Sequence, residues 1–146
     1  MIDTRFPLAQ RRKKEGYAAV SALGIESDPG VFCLAATEDT TKLRYRLREG
    51  QEKVFGKPCA MHFVRLIWTP GLPVARTLVS AAEKFLTDIG CSLGRSWFRA
   101  EIDIFDDLIR HEVFKMGCQT WTNAELIVKL RTLENSEADR YAEGRV

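Results

Sequence analysis

Cations dominate the residues that could do chemistry. Arg11-Arg12-Lys13-Lys14 is an unbroken basic run near the N-terminus, and Lys42, Arg44, Arg46, Arg48 and Lys53 recur within one short segment. On a helix, Lys42, Arg46 and Lys53 follow near-helical steps, while Arg44 and Arg48 form a second row four residues apart. Only Glu49 and Glu52 offset these charges locally. Guanidinium and ammonium groups in such rows neutralise phosphates, releasing the counterions condensed on a nucleic acid. The competing reading is a solvated face whose arginine stems cover apolar surface, and for residues 11 to 14 a solubilising arm.

Other reactive types are less well placed. Glu101, Asp103, Asp106, Asp107 and Glu112 could hold a cation or imitate the charge of a nucleic acid, but nothing in the sequence converges on them. Cys59-Ala60-Met61-His62 has a Cys-x-x-His form without a second ligand pair, so no structural metal is expected. The four cysteines (Cys33, Cys59, Cys91, Cys118) contain no C-x-x-C pair and read as reduced and structural. Trp68, Trp97 and Trp121 read as core or rim anchors.

A chain of 146 residues, 45% hydrophobic and 29% charged, has room for one domain and one core. The net charge is only +2, yet residues 1 to 76 carry a balance of +5 and residues 77 to 146 a balance of −3. That polarity fits one basic and one acidic flank. No apolar run reaches the ~18 residues of a membrane span, and Met1-Ile2-Asp3-Thr4-Arg5 lacks the apolar stretch of a secretory signal; no membrane partner and a cytoplasmic location are expected.

The elements that must position these groups follow from spacing. Residues 1 to 15 form a basic arm or short helix. Residues 17 to 23 and 31 to 36 are strands joined by a loop containing Asp28-Pro29-Gly30, which predicts a hairpin. A helix starts near Thr41, with Asp39 or Thr40 as cap and Gly50 and Gly56 bracketing its end. Residues 60 to 68, rich in aromatic and β-branched side chains, form a third strand. Pro73 opens a helix with an apolar stripe at Ala75, Leu78, Val79, Ala82, Phe85 and Leu86, ending near Asp88. After a loop and Trp97-Phe98, a helix over 101 to 115 has Ile102, Phe105, Leu108, Ile109 and Val113 on one side. Thr122-Asn123-Ala124-Glu125 has the form of a capping box for a last helix with Leu126, Ile127, Leu130 and Leu133 inward, able to pack on the domain or on a second copy as a homodimer or protein-partner contact. Residues 134 to 146 are a polar tail. The expected fold is α/β (α+β), a small three-stranded antiparallel sheet flanked by helices, with residues 16 to 133 as the single domain and the C-terminal helix as an addition.

This order resembles the GIY-YIG nuclease superfamily. Gly16-Tyr17 before the first strand looks like its opening motif, and Pro29 to Thr37 running into Lys42-Leu43-Arg44-Tyr45-Arg46-Leu47 is similar to its second strand, Thr turn and Arg-bearing helix. Gly94-Arg95-Ser96-Trp97-Phe98-Arg99 resembles the Gly-Glu-Trp-Phe element of the phage-associated branch. The resemblance spans residues 16 to about 114 and implies a fold that cleaves phosphodiesters with strand tyrosines, a helix arginine on phosphate and a helix glutamate holding one divalent metal. Carried over, the active constellation would be Tyr17, Arg44 (Arg46 as alternative) and Glu83, with Glu83 as ligand to Mg2+ or Mn2+.

The departures from that pattern set the functional expectation. Ala19 stands where a second tyrosine is often found, Cys33-Leu34-Ala35 has neither tyrosine nor glycine, and spacing back from Trp97 favours a metal carboxylate at 77 to 80, where there is none. Alanine supplies neither ligand nor base, and a phosphodiester transition state needs charge neutralisation. The expectation is a nucleic-acid-binding protein, DNA before RNA, on a catalytically degenerate GIY-YIG-like fold of phage or mobile-element type, with no cofactor and no catalytic residues. Its nucleic-acid-binding residues would be Arg11, Arg12, Lys13, Lys14, Lys42, Arg44, Arg46 and Arg48. An active Mg2+- or Mn2+-dependent endonuclease and a protein-interaction or inhibitor module are the alternatives.

Overall fold

The computed structural model describes residues 6–57 and 59–143, and the side chains of 10–43, 45–48, 50–57, 59–138 and 140 among them. Strand β1 (Ala18–Ile25) is the centre of the sheet, paired antiparallel with β2 (Asp28–Thr37) on one side and β3 (Met61–Thr69) on the other; Val20 lies opposite both Ala36 and Ile67. Every residue of β1 is buried, because helices cover both faces of the sheet. This explains its alanine content: Ala18, Ala19 and Ala22 are small enough to let helices approach a strand that has no solvent side.

The expectation of a three-stranded sheet is corrected. The sheet has six strands in the order β4-β5-β2-β1-β3-β6, where β4 is Ser92–Gly94, β5 Trp97–Arg99 and β6 Trp121–Thr122, and all pairings are antiparallel. The three additional strands have two or three residues each, too few to display a period of two; β5 and β6 form on the free edges of β2 and β3, and β4 pairs onto β5. The broader α+β character of the expectation stands, with five helices among the described residues.

On one face, α3 (Leu72–Asp88) and α4 (Ile102–Met116) lay Leu78, Ala82, Leu86, Phe105 and Ile109 on Val20, Phe32, Leu34 and Phe98. The other face carries three helices. There α5 (Asn123–Glu143) sets the fully buried Leu126 and Leu130 on Ala19, Leu66 and Trp68, and α2 (Leu43–Phe55) sets Leu43 on Leu23 and Ala35. The capping box at the start of α5 forms as its residue types require: the Glu125 amide donates to Thr122 Oγ1 (3.2 Å) and the Thr122 amide to Glu125 Oε1 (3.1 Å). The apolar stripe of α5 is therefore taken up within the chain.

Three expected boundaries move. Helix α5 runs through the segment read as a polar tail, reaching Glu143, while 144 to 146 lie outside the described residues. Its second half is held not by apolar periodicity but by α1 (Phe6–Glu15), whose Arg11 donates both Nη groups to the Glu137 carboxylate (2.9 and 2.5 Å). Residues 1 to 5 of the expected arm lie outside the described residues. In α2, Gly50 is interior and only Gly56, left-handed at φ 75°, ends the helix. Asp39 does not cap α2; its carboxylate accepts from the Thr41 amide (3.0 Å) and hydroxyl (2.6 Å), organising the turn that precedes it.

Candidate nucleic-acid interface

Helix α2 separates its cations into two flanks. Leu43 and Gln51 are buried and Leu47 and Val54 pack beside them, which defines the inward side. At 3.6 residues per turn, Arg46 and Arg48 lie about 200° apart around the axis. Lys42 and Arg46 fall on the flank toward β2, where Arg46 Nη2 donates to the Ala36 carbonyl at 3.4 Å while the residue stays exposed. Arg48 is on the opposite flank and pairs with Glu52 at 3.6 Å. Tyr45, 79% exposed, stands on the outward surface. Arg44 belongs to α2, and its side chain lies outside the described residues.

The β2 flank of α2 meets a tight turn. Between the paired residues Gly94 and Trp97, Arg95 (φ 52°) and Ser96 (φ 68°) both adopt left-handed backbone, the only non-glycine residues to do so among the described ones. A β-carbon at Gly50 would stand 3.9 Å from that of Arg95, ordinary van der Waals contact, which places the turn directly beside this turn of the helix. The turn is tied from below: the Leu34 amide donates to the Ser96 carbonyl (3.1 Å) and the Ser96 hydroxyl to Glu83 Oε2 (3.1 Å).

Glu83 is half-buried beneath this turn, and burial raises its pKa above the ordinary carboxylate value against the opposing effect of the Ser96 hydrogen bond. The neighbouring Cys33 thiol, buried in β2, is pushed up to about 12, first by burial and then by the charge of Glu83. It is an inert thiol at neutral pH. As a ligand for Mg2+ or Mn2+ the donor set does not fit. A hard dication needs several oxygens, whereas Glu83 is engaged by Ser96 and no group of three metal-ligating side chains occurs among the described residues.

Tyr17 is on the other face of the sheet. It is buried edge-on against Trp121 (ring centroids 5.3 Å apart, 89° between planes) in the cluster under α5, while Glu83 extends from α3 on the opposite side. The fold thus brings Arg46, Arg95, Ser96 and Glu83 to one corner and leaves Tyr17 out of it.

The N-terminal basic run has a different fate. Arg12 is 3% exposed, with its guanidinium carbon 4.4 Å from the centroid of the Trp68 ring. Arg11 is paired with Glu137 and with Glu15 (2.9 Å), and Lys13 Nζ with Asp39 (3.1 Å). Lys14 is exposed. These contacts turn Arg11 and Arg12 inward as a clamp between α1, α5 and the sheet, while Lys13 stays exposed and pairs with the loop before α2. The acidic face of α4 is partly neutralised too: Asp106 accepts from Arg65 Nε (2.9 Å) and Nη2 (2.9 Å), and Asp107 pairs with Arg110 (3.2 Å).

No family model, curated protein or solved structure matches this chain. Its site is therefore defined by its own geometry. Sequence spacing did not single out Gly50, Arg95 or Ser96 as site residues. The available signal was a cation in a two-residue turn position, where asparagine and glycine are favoured. Among the described residues, no helix is long and apolar enough to cross a membrane.

Proposed function

We propose that this chain is a nucleic-acid-binding protein, contacting phosphates through the exposed face of α2, and that its resemblance to the GIY-YIG nucleases is that of a catalytically degenerate relative acting in the cytoplasm. The observation that carries the reading is the contrast between its two basic segments. Arg11, Arg12 and Lys13 are engaged by Glu137, Trp68 and Asp39, whereas Lys42 and Arg46 stand exposed on one flank of a helix, with no carboxylate pairing to either among the described residues. Exposed cations that no carboxylate neutralises are more readily available to a polyanion than paired or buried ones. The degenerate chemistry is supported by the opposite placement of Tyr17 and Glu83 and by Ala19 and Ala35 at strand positions that offer no proton-transfer group. The test is fluorescence anisotropy of a labelled duplex DNA titrated with the full chain across a salt series. Binding that weakens with salt at about −0.9 in log K per log salt for each phosphate contact supports the proposal. Absence of binding at low salt overturns it, and selective retention of a protein partner with no nucleic acid gives the protein-interaction reading its place.

A further inference from the structure

We propose that the Gly94–Trp97 turn is a second phosphate-contacting element and that Arg95 is its contact residue, an inference that rests on the nucleic-acid reading of α2. A two-residue hairpin turn with positive φ at both central positions is the type whose twist matches paired strands, and it is normally filled by asparagine and glycine because other side chains crowd the backbone there. This chain places arginine and serine in it, at φ 52° and 68°. Strain of this kind persists where surrounding structure over-determines it, and here three contacts do so. The Ser96 carbonyl accepts from Leu34, the Ser96 hydroxyl donates to Glu83, and Arg95 lies beside α2 at Gly50.

Gly50 fixes where the turn lies relative to the helix: a β-carbon there would be in ordinary contact, 3.9 Å, with that of Arg95. Gly50 lies one helical turn beyond Arg46, so the exposed Arg95 joins the flank that already carries Lys42 and Arg46. The structure thus assembles three cations from two separate segments along one edge, on a base held by Ser96 and Glu83. Pre-ordering the backbone beneath a guanidinium lowers the entropy lost when it engages a phosphate. Ser96 and Glu83 are positioning residues in this arrangement.

The experiment is a set of salt-dependent anisotropy titrations of the full chain with one fluorescein-labelled duplex DNA. The variants are Arg95→Asn, Arg95→Lys, Arg46→Ala and, as a control on the other face of the sheet, Arg110→Ala. Asparagine tolerates positive φ, so Arg95→Asn removes the charge while keeping the turn folded, which an unchanged melting temperature verifies. We expect Arg95→Asn to reduce the magnitude of the slope by about 0.9 and to weaken binding several-fold, Arg95→Lys to restore the slope, and Arg110→Ala to leave it unchanged. If Arg46→Ala reduces the slope and Arg95→Asn does not, the turn is not a contact and the α2 reading survives without it. An equal effect of Arg110→Ala and Arg95→Asn would reduce the result to net charge and overturn the assignment. If the parent chain binds no DNA at low salt, both proposals fall together.

Discussion

The Ser96 hydroxyl donates to Glu83 Oε2 across 3.1 Å, linking the turn before β5 to the middle of α3. The bond accepts either protonation state of the carboxylate's other oxygen. Because burial holds the Glu83 pKa above its ordinary value, the folded chain binds this proton more tightly than the unfolded chain, and stability contributed by the group falls as pH rises through its folded pKa. Glu83→Gln keeps an acceptor for Ser96 and removes the desolvated charge. We expect it to raise the melting temperature at neutral pH by about 1 to 3 °C, the effect being moderated by solvent at a half-exposed site, and to show no difference below pH ~4. Lower stability of Glu83→Gln at neutral pH would show that the charge itself is required.

The same residue decides the enzymatic alternative. With Tyr17 and Glu83 on opposite sides of the sheet, incubation of supercoiled plasmid with the chain and Mg2+ or Mn2+ is expected to give no nicking. Metal-dependent nicking abolished by Glu83→Ala would reinstate the nuclease reading.

Arg12 over Trp68 is expected to act on stability and not on binding. Arg12→Ala removes a buried stem together with its cation–π contact and should cost about 2 kcal/mol in chemical denaturation, leaving the salt slope of DNA binding unaltered. A reduced slope at full stability would mean that Arg12 leaves the indole to meet phosphate.

For α2 the expectation is reversed. Replacing Arg44, Arg46 and Arg48 together by alanine should flatten the slope by about 0.9 through Arg46, with Arg48 adding little because it pairs with Glu52 on the opposite flank, and should weaken all sequences alike, since phosphates carry no base identity. Replacing Glu101, Asp103 and Asp107 should not weaken binding. Equal binding by the triple arginine variant would remove α2 from the interface.

Leu126 and Leu130 are fully buried between α5 and the sheet. The double change to aspartate puts two unpaired charges in that layer and should lower stability by more than about 4 kcal/mol, or prevent folding; the milder Leu126→Ala should cost about 2 to 5 kcal/mol in urea unfolding. A double variant that melts like the parent would show that the stripe is not buried in solution.

Asp39 offers a check at acid pH. Its pKa is held at about 2, first by the Thr41 hydroxyl and then by Lys13, so its stabilisation is present above the ordinary carboxylate range and is lost as pH falls through about 2. Asp39→Asn should be less stable than the parent at pH 7, by about 0.5 kcal/mol for a largely exposed pair, and equal to it near pH 2. A difference that persists unchanged at pH 2 would assign the effect to the turn geometry alone.

Local rules carried much of this chain. The hairpin of β1 and β2, the stripe of α3 and the capping box of α5 follow from periodicity and from side chains that bond backbone groups within a few residues, and such interactions are specified by neighbours in the chain. Residue types likewise determined that α2 is a basic helix: Leu43 and Leu47 set its inward side, and the intervening cations must then face outward or to the flanks. Tertiary structure decided what depends on partners far away in sequence. Strands β5 and β6 exist because β2 and β3 have edges to extend, β4 in turn pairs onto β5, and α5 continues to Glu143 because Arg11 reaches Glu137. The destination of each cation was decided in the same way. Arg12 and Arg46 are alike as sequence symbols, but Arg12 meets a tryptophan contributed by β3 and Arg46 meets solvent and a backbone carbonyl. The approach of Arg95 to Gly50 joins residues 45 positions apart, and no periodicity within either segment encodes it; it arises only when the sheet fixes the turn beside the helix.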